Sequence, residues 1–441
     1  VTVNRLPILP RTAAALAVVV TVAACGGSSS PETPRPAPAP QPADVQVGDP
    51  TVSYMNPEFT PDGRFMVWFE PLPDGLTADG RLFGRMWHCA VDAETGTFDP
   101  PDCKGFSGVP TTIWARANTG LDAQGPYYVG QFAVQGSHPD NDRLVVVRPT
   151  GARSGVVEVL GASMPQPRRR SIFPTAVAER PAAEQFVWWL ENDVGFSPSQ
   201  ASSVSLKFIA RSAPAAERTV TTQAARGAAW APMDVTYVRL LPGTTRLTFG
   251  APAAAGTVEI ATVDLADPSL TVTFVTADGR PKLDPYPFRY AGSHYIVAGI
   301  DGTDQSIVYR STSATSPFVA AETIAVPAPP ASQIAAGKAC QPQSHEPFAF
   351  AGALYTAYQV GDCSDPRQSF VTRPGEIWLS TIGATPQRQW RLSRDGAEAK
   401  NEPEPLVGRT RAWVFYTAYP AGASPLTVRH TLRRVALPLA Q

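Results

Sequence analysis

LDPYPFRYAGSHYIVAGID, Leu283–Asp301, carries the pattern that decides the fold. An acid and a proline open it, a short run of rings follows, Ala291-Gly292 turns the chain, and HYIVAGI runs back. The same order recurs in HEPFAFAGALYTAYQVGD, His345–Asp362, and in EPEPLVGRTRAWVFYTAY, Glu402–Tyr419. A further strand-like run follows each: SIVYRSTS at Ser306–Ser313, EIWLSTI at Glu376–Ile382 and TVRHTLRRVA at Thr427–Ala436. Aromatic and β-branched residues fit a pleated, half-buried surface, and the Gly, Pro, Asp and Asn around them supply turns. The three units start roughly 60 residues apart, which marks a repeat.

Working outward, weaker copies occupy comparable places: PEFTPDGRFMVWFEPL from Pro57, GPYYVGQFAVQG at Gly125–Gly136, FPTAVAERPAAEQFVWWLEN from Phe173 and APMDVTYVRLLPGTTRLTFGA from Ala231. Further runs such as RLVVVR at Arg143–Arg148 have the same strand composition, and no window shows sustained helical spacing. Six or seven units of about four strands, none able to bury its faces alone, predict an all-β chain folded as a β-propeller of six or seven blades. Five blades or a β-sandwich array are the alternatives. The pairing of its terminal segments would close such a ring.

One of these units also carries a family likeness. PEFTPDGRFMVWF, with Pro57, Pro61, Asp62, Gly63 and Arg64, resembles the proline, apolar, serine-proline-aspartate-glycine repeat of TolB-like periplasmic propellers, with Thr60 where that family has serine. The later acid-proline units resemble the blades of five-bladed glycosidase propellers. That resemblance implies catalytic roles for Asp284, Glu346 and Glu402, one protonated as acid and another activating water. Glu404 opens the same unit as Glu402 and is a further candidate acid; a plainer account of all four is that an acid before proline commonly caps a turn or accepts backbone N–H groups. Tyr286 and Tyr290, beside Asp284, are the aromatic candidates for ligand binding. The remaining rings are expected to pack between sheets.

The first residues read as an address. Arg5 and Arg11 precede an apolar run from Thr12 to Ala24, too short for a stable span and suited to a secretory signal over residues 1–24. Val22, Ala23 and Ala24 before Cys25 resemble the lipobox of bacterial lipoproteins, which implies an acylated Cys25, membrane attachment and a place in the cell envelope. An ordinary signal peptide is the alternative. Residues 25–50 add a Gly/Ser then Pro-rich spacer that cannot bury a core, leaving residues 51–441 as the folded body.

Cysteine usage agrees with export. Apart from Cys25, four cysteines remain, and local pairing of Cys89 with Cys103 and of Cys340 with Cys363 is the favoured arrangement of the three that four allow. Neither pair has C-x₂-C spacing and His88 stands alone beside Cys89, so a zinc site is not expected. No cofactor is expected either. DGTDQS at Asp301–Ser306 and HPDND at His138–Asp142 are oxygen-rich enough to invite calcium, but neither completes a ligand spacing and a hairpin turn accounts for each.

Charge narrows the partners. With 37 basic and 38 acidic side chains, the chain offers no electrostatic reason to bind nucleic acid. RRRS, Arg168–Ser171, reads as a solvated loop. Gly195-Phe196-Ser197-Pro198-Ser199 lacks the second glycine of a nucleophile elbow, and His345-Glu346 lacks the second histidine of a zincin helix. Every catalytic pattern is incomplete, so the expectation is a binding module for an envelope protein or a carbohydrate. A glycoside hydrolase-like enzyme and a structural subunit of an envelope assembly are the alternatives.

Overall fold

The computed structural model describes residues 44–76, 82–98, 103–105, 112–113, 118–132, 143–151, 154–160, 169–175, 186–192, 203–224, 236–253, 257–326, 341–361, 374–394 and 397–438. All the helix and strand elements among them are strands. In chain order they begin with β1 (Val45–Val47), β2 (Met55–Phe59), β3 (Phe65–Leu76), β4 (Leu82–Ala90), β5 (Lys104–Gly105) and β6 (Thr112–Ile113). Next come β7 (Asn118–Asp122), β8 (Gly125–Phe132), β9 (Arg143–Gly151), β10 (Ser154–Leu160), β11 (Arg169–Thr175), β12 (Phe186–Asn192), β13 (Ser203–Ala210) and β14 (Ala213–Ala224). They continue with β15 (Thr236–Leu240), β16 (Arg246–Pro252), β17 (Val258–Asp264), β18 (Thr273–Phe274), β19 (Lys282–Tyr290), β20 (Ser293–Ile300), β21 (Gln305–Ser311) and β22 (Val319–Ala325). The last are β23 (Pro342–Phe350), β24 (Ala353–Gly361), β25 (Gly375–Ile382), β26 (Gln389–Arg391), β27 (Glu398–Val407), β28 (Ala412–Pro420) and β29 (Thr431–Ala436).

These strands pair antiparallel with their sequence neighbours. β11 to β14, β15 to β18, β19 to β22 and β23 to β26 each form a four-stranded meander. A nine-stranded sheet holds β2 to β5 and β7 to β10, bridged through β6. The final sheet runs β27, β28, β29 and then β1, so the first described strand completes the last meander. Val45, Gln46 and Val47 face Arg434, Arg433 and Leu432. Those three residues come from the segment whose composition reads as spacer.

Among the described residues the first strands touch in cyclic order: β2 and β7, β7 and β11, β11 and β15, β15 and β19, β19 and β23, β23 and β27, then β27 and β2. The core follows the same circle. Val67 and Met86 of the first meander pack on Tyr128 and Val147 of the next. Tyr127 and Val146 pack on Trp189 and Ile209, while Trp188 and Phe208 pack on Val238 and Phe249. Further round, Leu241 and Ile260 meet Ile296, Phe288 and Val308 meet Leu354, and Leu379 meets Val414. Phe415 and Trp413 return to Phe59 and Trp68. Because each sheet is covered on both faces, middle strands such as β17 are buried almost throughout. The chain is an all-β propeller.

Local chemistry explains the turns. In the Pro61-Asp62-Gly63 turn, Gly63 takes φ 66°, and the Thr60 hydroxyl donates to Asp62 at 2.6 Å while accepting Phe65 N–H at 3.1 Å. Threonine therefore supplies a hydroxyl where the resembled repeat has serine. RRRS needs correction: Arg169–Thr175 is the strand β11, with Arg170 opposite Glu191 and Phe173 opposite Trp188. The apolar partner strand overrides what a basic, proline-flanked stretch suggests on its own.

Cys89 and Cys103 are disulfide-bonded. Cys25, Cys340, Cys363 and the HPDND stretch lie outside the described residues. At DGTDQS the Thr303 hydroxyl donates to Ile300 O at 2.9 Å and accepts Gln305 N–H at 3.2 Å, the geometry of a hairpin turn. Among the described residues no helix is long and apolar enough to cross a membrane, and no three His, Cys, Asp or Glu side chains are grouped to hold a metal ion.

Candidate functional site

The first strands share an irregularity that gathers polar side chains. Pairing with the second strand slips between Met55 and Glu58, Thr236 and Arg239, Leu283 and Tyr286, Gln343 and Glu346, and Asn401 and Glu404. Each slip is a β-bulge, which bends the strand and re-aims the side chain beyond it. In four of the five a non-glycine residue just inside the slip has positive φ: Asn56 at 48°, Asp284 at 47°, Ser344 at 50° and Glu402 at 55°. Such a residue costs roughly 1–2 kcal/mol, least for Asn and Asp, and that strain is held at the same register position in four sheets.

The residues that resume the ladder are Glu58, Arg239, Tyr286, Glu346 and Glu404. They interact across sheets. Arg239 Nη2 stands 3.6 Å from Glu346 Oε1 and 3.8 Å from Asp284 Oδ1, and its guanidinium lies over the Tyr286 ring at 3.9 Å from the centroid. These contacts join three successive sheets. The ion pairs are longer than direct hydrogen bonds, and the buried Arg239 Nε has no hydrogen-bond partner among the described residues.

Electrostatics follow from one cation among several acids. Burial drives the Glu346 carboxyl up to about 8, against the pull of Arg239 and with the push of Glu58 and Asp284. Glu404 is raised well above the ordinary carboxylate range by burial and then by Glu58 and Glu346. Burial and Glu346 raise the Tyr286 hydroxyl likewise. Near neutral pH the group therefore presents the protonated Glu346 carboxyl, the Tyr286 hydroxyl and the Arg239 guanidinium as donors.

The walls behind these side chains are fixed. His345, next to Glu346, is fully buried and meets Ser306 Oγ at 2.7 Å through Nε2. Burial lowers its pKa to about 3, so the ring is neutral. Lys282, at the start of β19, is buried against Glu259 at 3.3 Å, and Lys400 of β27 donates to Gly375 O at 3.0 Å.

Of the acids singled out from the sequence, Asp284 and Glu346 share Arg239. Glu402 has a different neighbour, for its Oε2 accepts the backbone N–H of Asn56 at 3.1 Å. Tyr286 joins the cluster, whereas Tyr290 donates to Gly352 O at 2.8 Å in the turn of the next sheet. Sequence reading named Glu404 among the acids that open the units but missed Glu58 and Arg239. What places all three in one column with Tyr286 and Glu346 is the register slip, a feature of strand pairing that the unit sequences do not spell out.

No protein-family model and no curated protein matches the sequence. Solved structures do. An oligogalacturonate lyase from Vibrio parahaemolyticus is similar at a TM-score of 0.50 and 10% identity, over 90% of this chain and 99% of that one. A dihydro-heme d1 dehydrogenase reaches 0.44 at 13% identity over 87% of this chain. The sialidase of Trypanosoma rangeli reaches 0.39 at 11% identity over 90% of this chain. The chain spans 66% of that dehydrogenase and 58% of that sialidase. At these identities the likeness shows the fold alone, and that fold is the propeller built above from the strand order.

Proposed function

We propose that this chain is a seven-bladed, lipid-anchored envelope protein whose axial funnel binds a hydroxyl-rich ligand of the carbohydrate class. The nine-stranded sheet is read as two blades joined through β6, which accounts for seven first strands around one axis. The observation that carries the binding role is the convergence of Glu58, Arg239, Tyr286, Glu346 and Glu404 at one register position, with Asp284 added by its bulge. A sugar hydroxyl both donates and accepts, so it suits a site that sets a protonated carboxyl, a phenol and a guanidinium beside further carboxyl groups. The lipid on Cys25 and the Pro-rich spacer would hold the ring clear of the membrane, about 3.1 Å further for each extended residue.

The test is a glycan and envelope-protein binding panel probed with the chain lacking residues 1–25, beside its Asp284→Ala variant. Saturable glycan binding weakened about tenfold or more in the variant is expected. Binding to proteins alone, or equal binding by both forms, would remove the carbohydrate reading.

A second reading is glycoside hydrolase-like chemistry. It is favoured by Glu346, held protonated near neutral pH, and by its sharing one guanidinium nitrogen with the Asp284 carboxylate. An acid and an ionised partner are what glycosidic cleavage requires. Release of reducing ends from any panel glycan, abolished by Glu346→Gln, would establish it.

A further inference from the structure

Glu402 and Asn56 meet where the last sheet of the ring reaches the first. They are 346 residues apart in sequence, and Glu402 Oε2 accepts the Asn56 backbone N–H at 3.1 Å. Both residues sit in the left-handed region, at φ 55° and 48°. Each lies within its strand's register slip and two positions before a funnel side chain, Glu404 on β27 and Glu58 on β2.

A bulge takes its backbone N–H groups out of the ladder, and a buried N–H without an acceptor is costly. Glu402 supplies an acceptor from the neighbouring sheet. Resting on the funnel reading above, we propose that Glu402 is a positioning residue: it ties the two bulges together across the ring seam and so sets how closely Glu58 and Glu404 approach.

The electrostatics of the funnel agree with that role. After burial, the Glu58 charge is the largest influence raising Glu404, followed by Glu346, with Arg239 opposing and Glu402 itself adding least. A proton-transfer role would need a carboxylate directed at a ligand, whereas this one accepts a main-chain N–H. Asp284 opens the corresponding bulge of β19 and turns instead to Arg239, at 3.8 Å. The two acids are therefore alike in sequence and different in task.

Two conservative variants separate reach from charge. Glu402→Gln keeps a carbonyl oxygen at the same reach and removes the charge; Glu402→Asp keeps the charge and shortens the arm by one methylene. Carboxyl-labelled glutamate in the full chain, followed by NMR from pH 4 to 10, reads the Glu404 titration without any ligand. Positioning predicts that Glu402→Gln titrates close to the parent, and that Glu402→Asp brings Glu404 down by about one pH unit as it parts from Glu58. The opposite order, with Asp parent-like and Gln shifted, would show that charge alone matters and overturn the proposal; so would two parent-like variants. A parent chain that binds no glycan but keeps this titration pattern would sink the ligand reading and leave the positioning role standing.

Discussion

Asp44 and Arg394, 350 residues apart, lock the segment leading into β1 onto the last sheets of the ring. Arg394 Nε lies 3.1 Å from Asp44 Oδ1, its backbone N–H reaches Oδ2 at 3.2 Å, and its Nη2 donates to the Asp44 carbonyl at 2.6 Å. The Tyr416 hydroxyl and Arg433 complete the shell around a carboxylate that is only 1% exposed. β1 alone offers three residues of pairing, so this carboxylate is the specific part of the closure.

Asp44→Ala leaves Arg433 and the Tyr416 hydroxyl without their shared acceptor. Its expected cost is about 3 kcal/mol, read as a lowered denaturant midpoint. Arg394 is mostly exposed, so Arg394→Ala is expected to cost much less, about 1 kcal/mol or below.

The funnel acids predict a stability profile that falls with pH. Glu346 stays protonated in the folded chain up to about 8, while in the unfolded chain it ionises near 4.5. Its contribution is thus complete below about pH 4.5 and is lost as the pH rises through 8. Glu346→Gln is expected to flatten this limb, gaining on the order of 2 kcal/mol over the parent at pH 8 relative to pH 5. Asp278 acts at the acid end: burial opposes it, but hydrogen bonds from Lys282 and Arg280 hold its pKa at about 2. Its contribution is present above the ordinary carboxylate range and is lost as the pH falls toward 2. Melting temperatures across pH 2 to 9 test both limbs.

The Cys89–Cys103 bridge spans a sequence separation of 14 residues and both cysteines are buried in the core. Replacing the pair by serine is expected to cost about 3 kcal/mol on the chain-entropy estimate. Denaturation of the parent with and without reductant should reproduce the same difference.

Trp188 fills the space between two sheets and donates through Nε1 to Val238 O at 3.0 Å. Trp188→Phe loses that bond and part of the ring, whereas Trp188→Ala leaves a cavity expected to cost about 3–5 kcal/mol. Near-ultraviolet circular dichroism and chemical denaturation distinguish local loosening from loss of the ring.

The fold was legible because β3, β12, β20 and β28 are dense in β-branched and aromatic residues, and their turns carry glycine. Strands whose pairing overrides propensity were not. β14 is APAAERTVTTQA, poor in strand formers yet paired along β13, and β1 hides at the end of a proline-rich stretch. At the site, acid-proline pairs pointed to Asp284 and Glu346. Arg239 stayed hidden because VTYVRLL has neither acid nor proline, although its bulge matches the others. Glu402 and Glu404 stand two residues apart in one repeat, and only the register separates the acid at the seam from the acid in the funnel.

The central claim is that the side chains around Arg239 form one ligand site, and its most direct measurement is equilibrium glycan binding by Arg239→Met beside Arg310→Met. Arg310 is exposed, touches Ser293 and Tyr295, and serves as the control outside the funnel. A loss of at least about tenfold in Arg239→Met with parent affinity in Arg310→Met is the predicted result. Parent affinity in both, or an equal loss in both, would contradict it.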